Sequence, residues 1–400
     1  MVLNYARSEE NARRINGSEV MVYGGVPVSR VIKIGKRWVF SLCFLQADLL
    51  ESFNFLITRL FLLRLRRTIF KSQIQKRRRL PYPTLRLRPG RDIVLKSGHP
   101  WLFSGAVHSV EAGIRPGEIV RAVSGDGQVL GLGFYHPKGD IAFRLLTQDG
   151  GREIDRLFWR ERIESAKGIR DVCIPPDTDA FRLINAEGDR LPGLIADRYA
   201  GILVVSFQTL GIENHRDTIL GILGEICGPG AVYERSESRS RRQEGLRDRT
   251  GWLSGTPPRE TIRIRENGLN FEVDVVGGQK TGFFLDQRPN RQLVRTLSQG
   301  KTVLNCFSYT GGFSVYAAAG GAVRVVSVET SKNANTVAAV NLEQNGYSDG
   351  DHPIVAGAAR DARKQVRILQ ALGPGPDHPV LLAHPEGGYL KGLLLSVGDA

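Results

Sequence analysis

The sequence is short of the residues that build metal centres and disulfide frameworks. Its 400 residues include four cysteines, Cys43, Cys173, Cys227 and Cys306, with no Cys-x-x-Cys pair and no zinc-ligand spacing. Free thiols in a reducing cytoplasm are the expected state. Seven scattered histidines form no His-x-x-x-His arrangement, so no metal site is expected. Long uncharged apolar runs are missing as well. Asp48, Glu51, Arg59 and Arg64 interrupt the stretch that comes nearest to a transmembrane span.

Positive charge is present but unevenly spread. The net charge is +14, yet residues 1–80 hold sixteen Lys/Arg against five Asp/Glu, so +11 sits in that segment. The other 320 residues carry 39 basic and 36 acidic side chains, only +3. A pI near 9.9 therefore describes the N-terminus, and nucleic-acid binding by the body must rest on motifs. In residues 1–84, Leu49, Phe53, Leu56, Leu60 and Leu63 recur at helical spacing before the basic run Lys76–Arg79. A membrane-surface helix, an RNA-grasping arm and an upstream segment without a selected fold all fit this pattern. The third is favoured, which makes residues 1–80 poorly ordered and dispensable.

The most informative stretch is 277–314, GGQKTGFFLDQRPNRQLVRTLSQGKTVLNCFSYTGGFS. The run Thr302–Leu304, bounded by breakers, reads as a buried parallel strand. A glycine turn at Gly311-Gly312 then opens the small-residue helix Phe313–Ala319. That order brings unpaired backbone N–H groups close to a polar ligand. A second strand, Arg324–Val328, ends at Glu329, eighteen residues after Gly311. An acid there is placed to hold ribose hydroxyls in a doubly wound fold. Because the turn is not Gly-x-Gly-x-x-Gly, a dinucleotide is disfavoured.

The run Asn305-Cys306-Phe307-Ser308-Tyr309-Thr310-Gly311-Gly312 resembles the first motif of class I S-adenosylmethionine-dependent RNA methyltransferases. The block GQKTGFFLDQRPNR before it is similar to a stretch of the ribosomal large-subunit methyltransferase I family. Three upstream blocks extend the likeness: SGHPWLFSGAV (97–107), RLINAEGDRLPGLIADRYAG (182–201) and YERSESRSRRQEGL (233–246). The resemblance implies transfer of a methyl group from S-adenosyl-L-methionine to carbon 5 of a 23S ribosomal RNA cytosine. It also implies a Rossmann-like α/β catalytic domain (266–400), a PUA-like β-barrel (85–150) and a small α+β central domain (151–265).

The resemblance assigns cofactor roles to Asn305, Phe307, Tyr309, Thr310, Gly311 and Glu329. It adds Lys280, Gly282, Phe284, Asp286, Gln287 and Arg288 from the block resembling the family's cofactor-lining loop. Asp286 is equally suited to cap the helix Arg288–Leu297. Cys306, at a strand end, reads as a structural thiol. Ser331 caps a framework helix, Lys332–Asn345, that closes at Gly346.

In the barrel, strands are expected at Ile119–Val123, Val129–Tyr135 and Ile141–Leu146, with Trp101 and Phe103 in the core and His99 in a turn. In the central domain a helix over 152–167 is expected to turn Ile154, Leu157, Phe158, Arg162 and Ile163 to one side. Strands Ile202–Phe207 and Ala231–Tyr233 flank a helix Asn214–Ile226. Arg235, Arg239, Arg241 and Arg242 are the candidate RNA contacts, since guanidinium groups bind phosphate bidentately. Interleaved Glu234, Glu237 and Glu244 fit a solvated, salt-bridged surface equally well.

After Asn345-Gly346 the family's next strand with its acid, its Asp-Pro-Pro motif and its late Ser-Cys-Ser are missing. The nearest substitute is Ala383-His384-Pro385-Glu386. A changed reading frame near residue 350 and a degenerate paralogue both account for this. Methyl transfer is therefore doubtful, and a non-catalytic RNA-binding protein is the alternative. Ribosomal RNA is the expected partner, and a homodimer is left open.

Overall fold

A computed structural model describes residues 82–347 and 350–357, together with the backbone of six short strands elsewhere. The chain forms two compact units, 1–79 and 80–400. In the first, β1 (Ala12–Ile15), β2 (Ser18–Tyr23) and β3 (Val26–Val28) make an antiparallel sheet. β4 (Arg30–Ile34) and β5 (Arg37–Ser41) make a hairpin. These strands were not expected from the sequence. The helically spaced residues from Leu49 and the basic run Lys76–Arg79 lie outside the described residues.

The second unit begins with a six-stranded sheet. It contains β6 (Thr84–Leu87), α1 (Ile93–Lys96), β7 (Trp101–Phe103) and β8 (Val107–Val110). β9 (Ile119–Val123), β10 (Val129–Tyr135) and β11 (Ile141–Thr147) complete it in the order β7-β11-β10-β9-β6-β8. Leu85 and Leu87 alternate inward from β6 and meet Leu102, Val120, Ala122 and Phe143, as a half-buried strand should. Two aromatic residues depart from expectation. Phe103 is 52% exposed. Trp101 lies half-buried and donates its indole N–H to Glu187 Oε1 at 2.9 Å, so it joins modules instead of filling a core.

Next comes α2 (Arg156–Cys173), started by Asp155, whose side chain accepts the Phe158 N–H at 2.8 Å. Its inward face is Phe158, Trp159, Ile163 and Ala166, while Leu157 is exposed. The expected face was thus rotated by about one residue, because Trp159 outcompetes Leu157 for the core. β12 (Ala180–Asn185), β13 (Leu194–Tyr199) and β14 (Ile202–Phe207) follow. The helix expected over Asn214–Ile226 is two, α3 (Leu210–Glu213) and α4 (Arg216–Cys227). β15 (Ala231–Ser236), α5 (Arg239–Gln243) and β16 (Arg249–Gly255) close the sheet in chain order. Only the β14–β15 pair, bridged by α4, is parallel, as a helical crossover requires.

A hairpin connects this sheet to the last one. β17 (Ile262–Glu266) and β18 (Leu269–Val273) turn at Asn267 and Gly268, with φ of 49° and 78°. Two left-handed residues make the tight turn that matches strand twist. Then α6 (Arg288–Leu297), β19 (Thr302–Cys306), α7 (Gly312–Ala319), β20 (Arg324–Glu329) and α8 (Lys332–Glu343) alternate. With β21 (Ile354–Ala356) and β22 (Val380–Ala383) they form a parallel sheet ordered β21-β20-β19-β22. All five residues of β19 are buried, which is why its sequence reads as an unbroken core strand. Ser331 accepts the Ala334 N–H and caps α8, and Gly346 has φ 85° just beyond its end.

A candidate cofactor site at the ends of two parallel strands

Strand β19 ends in a turn whose backbone alternates through the left-handed region. Phe307, Tyr309 and Gly311 have φ of 55°, 50° and 75°. For non-glycine residues that conformation costs about 1–2 kcal/mol each, and it persists only where neighbours hold it. The neighbour is Glu329 at the end of β20, whose Oε2 accepts the Tyr309 N–H at 3.0 Å. Its Oε1 accepts the N–H groups of Thr330 (2.7 Å) and Ser331 (3.0 Å). Burial works to raise the Glu329 carboxyl, but these backbone donors outweigh it and leave the group below its ordinary value.

The facing wall is the loop after β18. Asp274 Oδ1 accepts from Val276 N (2.9 Å) and Gly277 N (2.8 Å), forming an Asx-type turn. Gln279 N–H donates to the Tyr309 hydroxyl at 2.9 Å and ties this loop to the motif turn. Lys280 Nζ sits 2.8 Å from Asp286 and 4.5 Å from the Phe284 ring centroid. Phe284 in turn meets Tyr309 edge-on at 5.5 Å. Behind them Arg291, 2% exposed, donates to both oxygens of the buried Glu266 and to Phe284 O.

These elements enclose a cavity of about 420 Å³, within the range of small-ligand sites. Lys280, Phe284, Phe307, Tyr309, Thr310 and Glu329 line it, as the sequence suggests. The other expected cofactor residues do not. Asn305 is fully buried and donates to Ser314 Oγ at 2.8 Å, and Gly282 serves a turn with φ 128°. Gly311 faces α8, where a Cβ would come within 3.1 Å of Ala338. Arg288 is spent on Glu266 (3.2 Å) and Ala180 O (3.1 Å). Asp286 pairs with Lys280 and does not cap α6, whose N-cap is Gln287 without a side-chain bond. The sequence reading overlooked Gln279, Phe283, Arg291, Ser308 and Phe313 as lining residues. Ser308 carries a further signal: it is 6% exposed and its buried hydroxyl has no hydrogen-bond partner among the described residues.

Of the four arginines assigned to RNA, Arg239 and Arg242 are exposed, the latter paired with Asp248 at 2.7 Å. Arg235 is held by Glu237 (2.8 Å) and Val275 O (3.3 Å). Arg241 is a correction. It is 2% exposed and donates to Phe207 O (2.6 Å), Glu213 (2.7 Å) and Arg247 O (2.7 Å), so its guanidinium is turned into the protein and away from a phosphate. Cys306 is fully buried, and burial pushes its thiol up to about 11.

Comparison with known proteins places this geometry. Residues 190–385 match the S-adenosylmethionine-dependent methyltransferase model and residues 85–148 a PUA-like domain. The ribosomal RNA large subunit methyltransferase I of Photobacterium profundum is 35% identical over 384 residues, covering 76% of this chain and 96% of that protein. The protein of that name from Shewanella denitrificans is 35% identical over 393 residues, covering 78% and 99%. The chain belongs to this family. Its architecture is a PUA-like domain plus an S-adenosylmethionine methyltransferase domain. An S-adenosylmethionine-dependent methyltransferase from Streptococcus mutans has a similar structure, with TM-score 0.61 and 26% identity over 72% of this chain and 74% of that one. A methyltransferase complexed with S-adenosylhomocysteine matches at TM-score 0.61 and 25% identity, over 72% and 73%.

The coverage also corrects one expectation. A changed reading frame would end the match near residue 350, but the family model matches through 385. Moreover, 78% of 400 residues is about 312, whereas the Shewanella alignment is 393 positions long. About 80 positions inside the family's sequence therefore have no counterpart here. The loss is internal.

Proposed function

We propose that this chain binds S-adenosylmethionine in the 420 Å³ cavity and engages ribosomal RNA without transferring the methyl group. The observation that carries the first half is the fit of the lining. Glu329 is an ionised acceptor suited to ribose hydroxyls, and the rings of Phe284, Phe307 and Tyr309 offer faces to an adenine or a sulfonium cation. The orphan hydroxyl of Ser308 awaits a polar partner. When bound, the cofactor supplies an electrophilic methyl group. The residues here hold and orient it and keep water from it.

The second half rests on the missing positions. Carbon-5 methylation of cytosine needs a thiolate that adds at carbon 6, and the family resemblance places that cysteine late in the sequence. Among the described residues, Cys306 is buried with a raised pKa and Cys173 and Cys227 lie on central-domain helices. None faces the cavity. RNA contact falls to the PUA-like module and to exposed Arg239 and Arg242, with modules divided at 84/85, 150/151 and 265/266. The cytoplasm is the proposed compartment, and no helix among the described residues is long and apolar enough to cross a membrane. Titration with S-adenosylmethionine, S-adenosylhomocysteine and NAD tests the cofactor half. Binding of the first two alone is expected, and a preference for NAD overturns it.

A further inference from the structure

The loop that carries Gln279, Lys280, Phe283 and Phe284 into the cavity is held from two sides, by Tyr309 and Arg291 of its own domain and by the central sheet. A directed chain of hydrogen bonds fastens it to strand β13 of the central sheet. Phe283 N–H donates to the Tyr199 hydroxyl at 3.3 Å, and that hydroxyl lies 2.8 Å from Thr281 Oγ1. Thr281 Oγ1 lies 2.6 Å from Asp197 Oδ2. Asp197 forms a two-pronged ion pair with Arg182, whose Nε lies at 2.8 Å and Nη2 at 3.0 Å. A carboxylate can only accept, so the Thr281 proton must point at Asp197. The Tyr199 proton must then point at Thr281, and Tyr199 is left to accept from Phe283. Every polarity in the chain is fixed by the buried charge at its end.

The setting makes the chain matter. Tyr199 and Asp197 are fully buried, so their bonds face no competition from water. The loop between them and the cavity contains Lys280 at φ 53°, a conformation that needs external support in a residue other than glycine. Tyr199 also packs in the cluster that holds Phe283, Phe271 and Tyr316.

We propose that Asp197, Tyr199 and Thr281 are positioning residues for the cofactor: the central sheet, through these three groups, sets the loop that forms one wall of the site. This rests on the cofactor reading above. None of the three touches the ligand in it; they act through Phe283 and Lys280. Thr281→Val is the discriminating change, because it removes one hydroxyl at nearly constant shape. Asp197 keeps both bonds from Arg182, so no buried charge is orphaned, and Phe283 O at 3.5 Å remains open to the Tyr199 proton.

Two measurements on the full chain decide the matter. Calorimetric titration with S-adenosylhomocysteine should show Thr281→Val and Tyr199→Phe each weaker by about tenfold, with Thr281→Ser restored, the loss expected for one buried hydrogen bond. Hydrogen exchange without ligand should show faster exchange of the Phe283 amide and its loop neighbours in Thr281→Val and Tyr199→Phe, at unchanged melting temperature. Wild-type affinity and wild-type exchange in Thr281→Val overturn the positioning role and leave the cofactor reading standing. Absence of binding by the unaltered chain overturns both. A fall in melting temperature that Thr281→Ser does not repair assigns the chain to general stability and overturns the proposal.

Discussion

Glu329 Oε2 accepts the backbone N–H of Tyr309 at 3.0 Å across twenty residues of sequence. One side chain thereby closes the end of β20 over the end of β19 and holds a left-handed residue in the motif turn. The same carboxylate faces the cavity, so shaping the turn and, on the proposed reading, receiving the ribose fall to one group.

Glu329→Ala removes a charged acceptor and the support for Tyr309. A charged hydrogen bond contributes about 1.5–3 kcal/mol, so S-adenosylhomocysteine should bind at least about tenfold more weakly. Calorimetry checks it, and an unchanged dissociation constant removes Glu329 from the site.

The pH dependence follows from the sign of the shift. The Glu329 carboxyl is held below its ordinary 4.5, so its acceptor role is fully present above that value and is lost as pH falls through the lower, folded value. Its contribution to affinity should be flat between pH 8 and 5. A steep decline within that window assigns the ribose contact to some other group.

Arg241→Ala and Arg242→Ala should separate cleanly. The first removes the buried donor to Phe207 O and Arg247 O together with its pair to Glu213, and should destabilise by about 1–3 kcal/mol, read by denaturant unfolding. The second, like Arg239→Ala, should leave stability unchanged, weaken ribosomal RNA binding and lower its salt slope by about one. RNA affinity insensitive to both exposed arginines removes α5 from the RNA face.

No methyl transfer is expected from this chain. With tritiated cofactor and unmodified 23S ribosomal RNA, incorporation should stay at background. Incorporation that disappears in Cys306→Ala would overturn both the inactivity and the structural reading of that thiol.

What the sequence disclosed follows the range of the forces involved. Strands β9, β10 and β14 were legible to the residue, because β-rich apolar runs between turn residues leave little choice of boundary. Half of the cavity lining was legible for a similar reason: Phe307, Tyr309, Thr310 and Glu329 sit at strand ends whose chemistry is local. Arg291 was not, since it reaches the wall from the middle of α6 by way of Glu266 on β17, a pairing 25 residues apart. Arg241 misled because a cluster of arginines looks the same in sequence whether it faces solvent or the protein interior. The rotated face of α2 was decided by the neighbours Phe134, which stacks on Trp159, and His215, which meets it at a tilt, both from distant segments.

The indole of Trp101 reaches Glu187, and Arg144 bridges Glu187 and Glu244 at 3.2 Å each. Phe134 of β10 and Leu146 of β11 share one core with Trp159 of α2 and Ile212 of α3. The two modules assigned to RNA are thus welded into a ruler. On the proposed reading, the distance from the PUA-like surface to Arg239 and Arg242 cannot adapt to the nucleic acid, so it is the RNA that must present phosphates at the right separation. Such a gauge selects a folded shape before any base is read, and it works without the methyl-transfer machinery.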